Sequence, residues 1–263
     1  MRTRRLYLTL AGAAVALSSM AAPASAQNLL DTTFAAGNFV PGAPIDNPYS
    51  PFIPGTRFVY TSESTGGCEV NLVEVTSNFK DDFPSPYDSV TALEVHDRVW
   101  ADENCAGDYA LTEDTADWYA QDKAGNLWYF GEATTSYAED SCPSHEGSWQ
   151  AGVDGADAGI VMLASPRPGV AYRQEFLEGT AEDLARVLRL NASVSIELGA
   201  FAGCLITKEW SPLELGVIEQ KTYCPTAGGL VRVREHHGKT VQEELIGNTL
   251  PPGEYAPTGV CGP

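Results

Sequence analysis

Short runs of β-branched and aromatic residues, separated by turn residues, recur along most of the chain. Residues 56–61 read Thr-Arg-Phe-Val-Tyr-Thr between Pro54-Gly55 and Gly66-Gly67, and residues 69–76 mix apolar and polar side chains in near alternation. Runs of this length and composition, bounded by Gly and Pro, are typical of β-strands. The pattern therefore predicts a mainly β chain.

The clearest local signal is a β-hairpin at Asp117–Glu132, where two aromatic-rich runs flank a Lys-Ala-Gly-Asn turn. Because strand follows strand with little helix between, we expect a single antiparallel sheet system that closes toward a barrel or sandwich, with at most one short helix. Thr180–Leu190 fits either a capped helix or a strand drawn into the sheet by tertiary pairing. Further strands are predicted at 89–100, 160–163, 170–176, 194–196, 204–210, 217–223, 230–234 and 242–246.

The first 26 residues have the pattern of a secretory signal peptide. Three arginines precede the apolar stretch Leu6–Ala22, and Ala24-Ser25-Ala26 gives a small-x-small cleavage site. We therefore expect cleavage near Ala26 and a secreted or periplasmic protein. No later apolar run approaches the roughly 18 to 20 residues of a membrane span. Residues 27–55 are a Pro-rich extended lead-in, and residues 56–263 are expected to form a single β-rich domain.

The six cysteines predict disulfides, because their number is even and the chain is expected to enter an oxidising compartment. No two of them have the CxxC spacing of a zinc ribbon or a redox dithiol. The first two of our expected pairs join neighbouring predicted strands. The three pairs are Cys68–Cys105, Cys204–Cys224 and Cys142–Cys261.

A formal net charge of −19 limits the partners of the chain. A nucleic-acid binder needs clustered cations, which this chain lacks. The hydrophobic fraction of 43% is too high for a disordered protein. Nothing in the sequence specifies an oligomeric state.

The acid-rich segment 94–122 contains an incomplete EF-hand pattern. Asp102, Asn104, Gly107 and Glu113 fall at positions 1, 3, 6 and 12 of such a loop, but Ala106 occupies position 5 and no flanking helices are evident. The alternatives are a solvated acidic face or a weak Ca²⁺ site. The candidate ligands are Asp102, Asn104, Asp108 and Glu113, and the sequence requires no cofactor.

The hairpin aromatics suggest either core packing or a binding wall. Strand alternation places Trp118 on one face and Tyr119 on the other, and likewise separates Trp128 and Phe130 from Tyr129. We expect the Trp face to pack in the core and the Tyr face to stack on a small molecule or carbohydrate. The predicted ligand contacts are Tyr119, Gln121, Asp122, Tyr129 and Glu132.

Carboxylates within otherwise apolar strands suggest an alternative, enzymatic function. Buried carboxyls with separated pKa values can provide acid and base, and a carboxylate pair can hydrolyse glycosides. The candidates are Glu132, Glu175, Glu182, Asp183 and Glu209. The chain contains neither HExxH nor GxSxG, so it lacks the zincin and α/β-hydrolase motifs.

Three segments resemble an uncharacterised family of exported bacterial β-rich proteins. They are the hairpin DWYAQDKAGNLWYFGE, GSWQAGVDGADAGIVM at 147–162 and TKEWSPLELGVIEQKTY at 207–223. The resemblance covers most of residues 45–235 and implies an exported β-rich domain, but it supplies no activity. The chain departs from the family at Ala227–Val231, which reads AGGLV where the family has GVGLV.

Our leading hypothesis is therefore an exported acidic β-domain that binds a small ligand or cation in an aromatic and acidic cavity. One alternative is an extracytoplasmic hydrolase or lyase that uses a carboxylate pair. Another is a cell-surface structural or interaction module. Two carboxylates about 5 to 10 Å apart in a cleft would favour the enzyme, whereas an aromatic-walled pocket would favour the binding protein.

Overall fold

The computed structural model describes residues 29–64, 66–137, 142–237 and 239–256. The predicted signal peptide and cleavage site lie outside these residues. Two 3₁₀ turns occur, at Ala36–Asn38 and Pro225–Ala227. The strands are β1 (Arg57–Ser64), β2 (Gly67–Lys80), β3 (Ala92–Asp102), β4 (Asp108–Gln121), β5 (Leu127–Ser136), β6 (Trp149–Gln150), β7 (Asp157–Met162), β8 (Ala171–Arg173), β9 (Glu175–Phe176), β10 (Leu184–Ile196), β11 (Gly199–Trp210), β12 (Ile218–Cys224), β13 (Gly229–His237), β14 (Lys239–Gly247) and β15 (Glu254–Ala256).

All of these strands belong to one sheet that is nearly closed into a barrel, as the sequence predicts. The order along the sheet is β8-β10-β11-β12-β13-β14-β1-β2-β3-β4-β5-β7-β9, with β6 beside β5. Every pairing is antiparallel except that of β15, which runs parallel to β4. The two end strands, β8 and β9, are consecutive in the chain and are separated by Gln174 alone. The backbone itself therefore joins the two edges of the sheet.

Gly159 permits this seam to form. A Cβ atom on Gly159 of β7 would lie 2.3 Å from the carbonyl oxygen of Gln174 and 2.8 Å from that of Arg173. Both distances are far below van der Waals contact, and the obstructing atoms are backbone. The backbone amide of Gln174 also donates to the Asp183 carbonyl, 2.8 Å away, just before β10. Gln174 thus lies where the two ends of the sheet meet.

The segment that fits either helix or strand is mostly strand. β10 pairs with β11 from Leu184 to Ile196 and with β8 at its start. Because this position lies between two strands, pairing overrides the helix-forming composition of the segment.

Two of the predicted disulfides are present. Cys68–Cys105 joins β2 to the turn after β3, and Cys204–Cys224 joins the paired strands β11 and β12. Their Cα atoms are 5.2 and 4.3 Å apart. The remaining predicted partner, Cys261, lies outside the described residues.

Aromatic side chains of the lead-in cover the outer face of the hairpin β4–β5. Phe34 and Phe39 contact Trp128 and Phe130 edge-on, with ring centroids 5.6–6.2 Å apart. Trp128 and Phe130 are buried, so the expected core face of the hairpin packs against the lead-in rather than inside the barrel.

The lead-in then crosses the hairpin tip and reaches the end of the barrel. The Asn47 side chain donates to the carbonyl oxygens of Gly125 and Leu163, and its backbone amide donates to Gln121 Oε1. Farther along, the Phe52 ring lies 4.9 Å from the Tyr119 ring. The lead-in therefore wraps from the outer face of the hairpin onto its inner end. Within the described part of the chain, no helix is long and apolar enough to cross a membrane.

Replacing Gly159 with Ala should prevent the seam from closing properly. We expect Gly159→Ala to lower the free energy of unfolding by at least about 2 kcal/mol, because the new Cβ collides with backbone. Gly37→Ala is the matched control, since a Cβ there meets no atom within 4 Å. Urea titrations of both variants test this, and equal stability of the two would show that the seam does not depend on Gly159.

Candidate functional site

The inner face of the sheet is polar over much of its surface. On β4, Glu113, Thr115, Asp117 and Tyr119 are buried and separated by less buried or small side chains. Their antiparallel partners on β3 point to the same side, and Asp97 lies opposite Thr115. The acidic segment predicted to form a loop or a solvated face is therefore strand, and part of its charge points inward.

A cavity of about 60 Å³ lies within the barrel, below the end of the lead-in. Its apolar wall comes from the lead-in, β1, β2 and β7, and its polar wall comes from β1, β3, β4, the seam and β12. The lining residues are Ser50, Phe52, Phe58, Tyr60, Val73, Val95, Asp97, Asp117, Tyr119, Val161, Met162, Gln174, Tyr223, Gly228, Gly229 and Leu230.

Asp97 is fully enclosed beside an amide side chain. Asn71 Nδ2 donates to Asp97 Oδ1 at 2.6 Å, whereas Asn71 Oδ1 has no hydrogen-bond partner. Burial raises the pKa of Asp97 well above its usual value, and the charges of Asp117 and Glu113 raise it further. This carboxyl therefore resists ionisation in the free protein.

Tyr129 links two buried carboxyls. Its hydroxyl lies 2.5 Å from Asp117 Oδ1 and 3.0 Å from Glu132 Oε2. A phenol has one proton to donate, so when both contacts are hydrogen bonds, one carboxyl must be protonated and donate to the phenol oxygen. Burial raises the pKa of Asp117 to about 7 despite the bond from Tyr129, which lowers it.

This linkage bears on the enzymatic alternative. Asp117 and Glu132 share one phenol oxygen and are therefore close together, as a retaining glycosidase requires. However, the Tyr129 oxygen occupies the space between them, where the scissile bond of a substrate would have to lie. The arrangement is a proton-sharing chain rather than an open carboxylate pair.

A second buried cluster surrounds Lys221. Its ammonium lies 2.9 Å from Glu209 Oε2 and 3.2 Å from Glu219 Oε2. Glu209 Oε1 also accepts hydrogen bonds from Thr207 and Tyr223. Burial raises the pKa of Glu219 to about 7, although Lys221 opposes the shift. The sequence interpretation did not single out Lys221 or Tyr223, because neither stands in a recognisable motif.

Two of the other catalytic candidates, Glu175 and Asp183, lie close enough for their charges to interact. Burial and the charges of Asp183 and Glu132 raise the pKa of Glu175, which lies on the short strand β9. Asp183 stands just before β10, and burial raises its pKa to about 6. Glu182 is half-buried and accepts a bond from the Gly179 amide, which closes a turn.

Two of the predicted ligand contacts bind other parts of the protein. Gln121 Oε1 accepts from the backbone of Asp46 and Asn47 and thereby holds the lead-in. Asp122 accepts from the backbone of Ala124 and from the Trp128 indole, which stabilises the hairpin turn. Tyr119, Tyr129 and Glu132 lie on the inner face, and Tyr119 lines the cavity.

The candidate Ca²⁺ ligands are held in a turn and a strand. Asp102 accepts from the backbone amides of Asn104, Gly107 and Asp108, so its oxygens close the turn after β3. Glu113 lies on the inner face of β4, where Thr115 Oγ1 donates to it. Among the described residues, no group of three or more His, Cys, Asp and Glu side chains is placed to hold a metal ion.

Two solved structures are distantly similar to the fold. A protein named as exported, with a YmcC-like fold, from Bacteroides fragilis NCTC 9343 matches with a TM-score of 0.37 and 14% identity, over 75% of this chain and 96% of that chain. A protein named as a lipoprotein from Parabacteroides distasonis ATCC 8503 matches with a TM-score of 0.31 and 13% identity, over 74% and 95% of the two chains. No protein-family model matches the chain, and neither does any curated protein.

The buried carboxyls predict a protein that becomes less stable as pH rises. The pKa values of Glu69, Asp117 and Glu219 are raised to about 7 in the folded protein, whereas the unfolded carboxyls ionise near pH 4. The unfolded state therefore releases protons first, and the stability that these three groups contribute is lost between about pH 4 and 7. Between pH 5 and 7 each of the three groups loses on the order of one kcal/mol per pH unit, so we expect the free energy of unfolding to be lower at pH 8 than at pH 5 by roughly 6 kcal/mol.

A variant pair on β4 separates this effect from general charge repulsion. Asp117→Asn should reduce the loss of stability between pH 5 and 8, because it removes one of the titrating groups while keeping an acceptor for Tyr129. Asp114→Asn changes an acid on the same strand that lies outside the buried face and should leave the pH dependence nearly unchanged. Urea titrations at both pH values provide the measurement, and a stability that rises from pH 5 to 8 would contradict the prediction.

Proposed function

We propose that the protein is an exported binding protein that holds a small molecule inside its barrel. The observation that carries this proposal is the cavity at the end of the barrel, which has an apolar wall and a polar wall. Ligand sites in proteins commonly combine an apolar surface with a few converging polar groups. The signal-peptide pattern at residues 1–26 supports export.

The apolar wall includes a part of the lead-in. Ser50 and Phe52 line the cavity, and Phe52 also contacts Tyr119 from the opposite wall. The position of this segment depends on Asn47, which is bonded to the hairpin turn and to Leu163. In the proposed function, the lead-in encloses one side of the ligand.

The polar wall would select the ligand. Asp97, Asp117 and the hydroxyl-bearing side chains Tyr60, Tyr119 and Tyr223 face the cavity. Three of these five come from adjacent strands, β3 and β4, so the main-chain hydrogen bonds of the sheet fix their separation. Rigid placement of polar groups reduces the entropy lost on binding.

Filling the cavity should abolish binding without removing any polar group. Val73 lines the cavity on β2, opposite Asp97, so Val73→Phe places a ring in the cavity. We expect compounds that raise the melting temperature of the wild type, in a screen of small molecules of about four to six heavy atoms, to bind this variant at least tenfold more weakly. The affinities would be measured by calorimetry.

Two further variants make the test specific. Val73→Ala enlarges the cavity and should retain binding. Val153→Phe makes the same substitution at a position whose side chain is 41% exposed and should bind as the wild type does. Compounds that bind Val73→Phe as tightly as the wild type would place their site elsewhere and overturn the proposal.

A further inference from the structure

The polar wall of the cavity offers hydrogen-bond acceptors and no positive charge. Asp97 and Asp117 supply carboxyl groups, and none of the lining residues is Lys, Arg or His. Neither carboxyl forms an ion pair within 4 Å among the described residues. A ligand that enters this cavity therefore meets two acidic groups that the protein has not neutralised with a cation in contact.

The carboxyl groups of Asp97 and Asp117 accept few hydrogen bonds from the protein. Asp97 receives one bond, from Asn71, and Asp117 receives one, from Tyr129. Asn71 is 0% exposed, and its Oδ1 has no partner although it lies beside Asp97. Asp97 and Asp117 line the cavity and keep acceptor capacity that the protein does not use, so a ligand that supplies donors to them would be favoured. An ammonium group supplies three donors and no acceptor.

The same barrel already holds an ammonium in this way. Lys221 places its charged group between Glu209 and Glu219, and its side chain is 4% exposed. Tyr223 donates to Glu209 and also lines the cavity, so the two sites are neighbours. Lys221 is an ammonium on a four-carbon stem, enclosed by carboxylates inside the sheet. It shows which chemical group the acidic interior can accommodate.

Size restricts the ligand further. A buried water needs about 10 to 15 Å³ of such space, so a cavity of about 60 Å³ accepts roughly four to six non-hydrogen atoms. A hexose is too large for it. Phe58, Val73 and Met162 provide an apolar surface for a hydrocarbon stem, and Tyr119 provides a ring that can face a cation.

We propose that the cavity binds a primary ammonium group carried on a short apolar stem, with Asp97 and Asp117 as its acceptors. The inference rests on the proposed function and specifies the class of ligand. The raised pKa values of both carboxyls agree with it, because a buried carboxyl that lacks a contacting cation resists ionisation and an incoming ammonium would favour the ionised form.

The test compares probes of one shape and different charge. n-Pentylammonium, 1-pentanol and butanoate, each with about six non-hydrogen atoms as the cavity volume requires, would be titrated into the full exported chain by calorimetry at pH 7 and constant ionic strength. We expect pentylammonium to bind at least about tenfold more tightly than pentanol, since hydrogen bonds to charged groups are stronger than neutral ones. Butanoate should bind more weakly than either.

Matched acid-to-amide variants identify the acceptors. Asp97→Asn and Asp117→Asn should each weaken pentylammonium at least about tenfold while leaving pentanol within about twofold, which also shows that the cavity has kept its shape. Asp183→Asn removes a buried acid that does not line the cavity and should leave both affinities unchanged. An Asp183→Asn variant that loses pentylammonium as strongly as the other two would mean that the cation is bound by the general acidity of the interior, and would overturn the assignment.

The outcomes also separate the two proposals. Pentanol binding as tightly as pentylammonium, with both lost in Val73→Phe, would overturn the ammonium assignment and keep the cavity as the ligand site. Binding of pentylammonium that Val73→Phe does not weaken would overturn both proposals. So would the absence of binding by all three probes together with a screen that yields no compound dependent on Val73.

Discussion

The closure of the sheet at Gln174 is the constraint on which the rest of the structure depends. Because β8 and β9 are consecutive in the chain but belong to opposite ends of the sheet, the backbone at Gln174 brings these ends together and gives the sheet an inner face. A flat sheet with this sequence would expose its carboxyls to water, where they would ionise freely. Closure places the same groups opposite one another across a narrow interior, where burial and mutual repulsion raise the pKa values of several of them.

Buried acidic side chains have two different kinds of partner in the interior of the barrel. Around Lys221, one buried cation lies between Glu209 and Glu219, and Thr207 and Tyr223 donate hydrogen bonds to Glu209. Around Asp117, Tyr129 connects two carboxyls that share protons instead. A buried charge pair is weak evidence for stability, because desolvation offsets much of its attraction. The buried ion pairs around Lys221 are therefore weak evidence for a stabilising role.

The sequence predicted the architecture well because most strands carry apolar residues on at least one face. The aromatic alternation of the hairpin placed Tyr119 and Tyr129 together correctly, and the spacing of the cysteines along neighbouring strands led to two disulfides. The part of β4 before Asp117 was not predicted as strand, because the acidic side chain of Glu113 is buried there, whereas acidic residues usually mark exposed positions. The secondary structure of residues 180–190 depends on the strands that pair with them, and local propensity carries no information about those strands.

The site was predicted only in part. Asp97, Asn71 and Lys221 are brought together by tertiary structure, whereas Gln121 and Asp122 use their polar groups to hold the lead-in and the turn.

The contacts of the lead-in also impose an order on assembly. Asn47 lies 116 residues before Leu163, and Leu30 donates its amide to Ala171, so this segment packs against elements that are synthesised long after it. A chain made from its amino end presents the lead-in before any surface exists to receive it. The lead-in can therefore make these contacts only after the hairpin and β8 have been synthesised. The prolines of the lead-in are compatible with this order, because proline disfavours both helix formation and strand pairing before the lead-in docks.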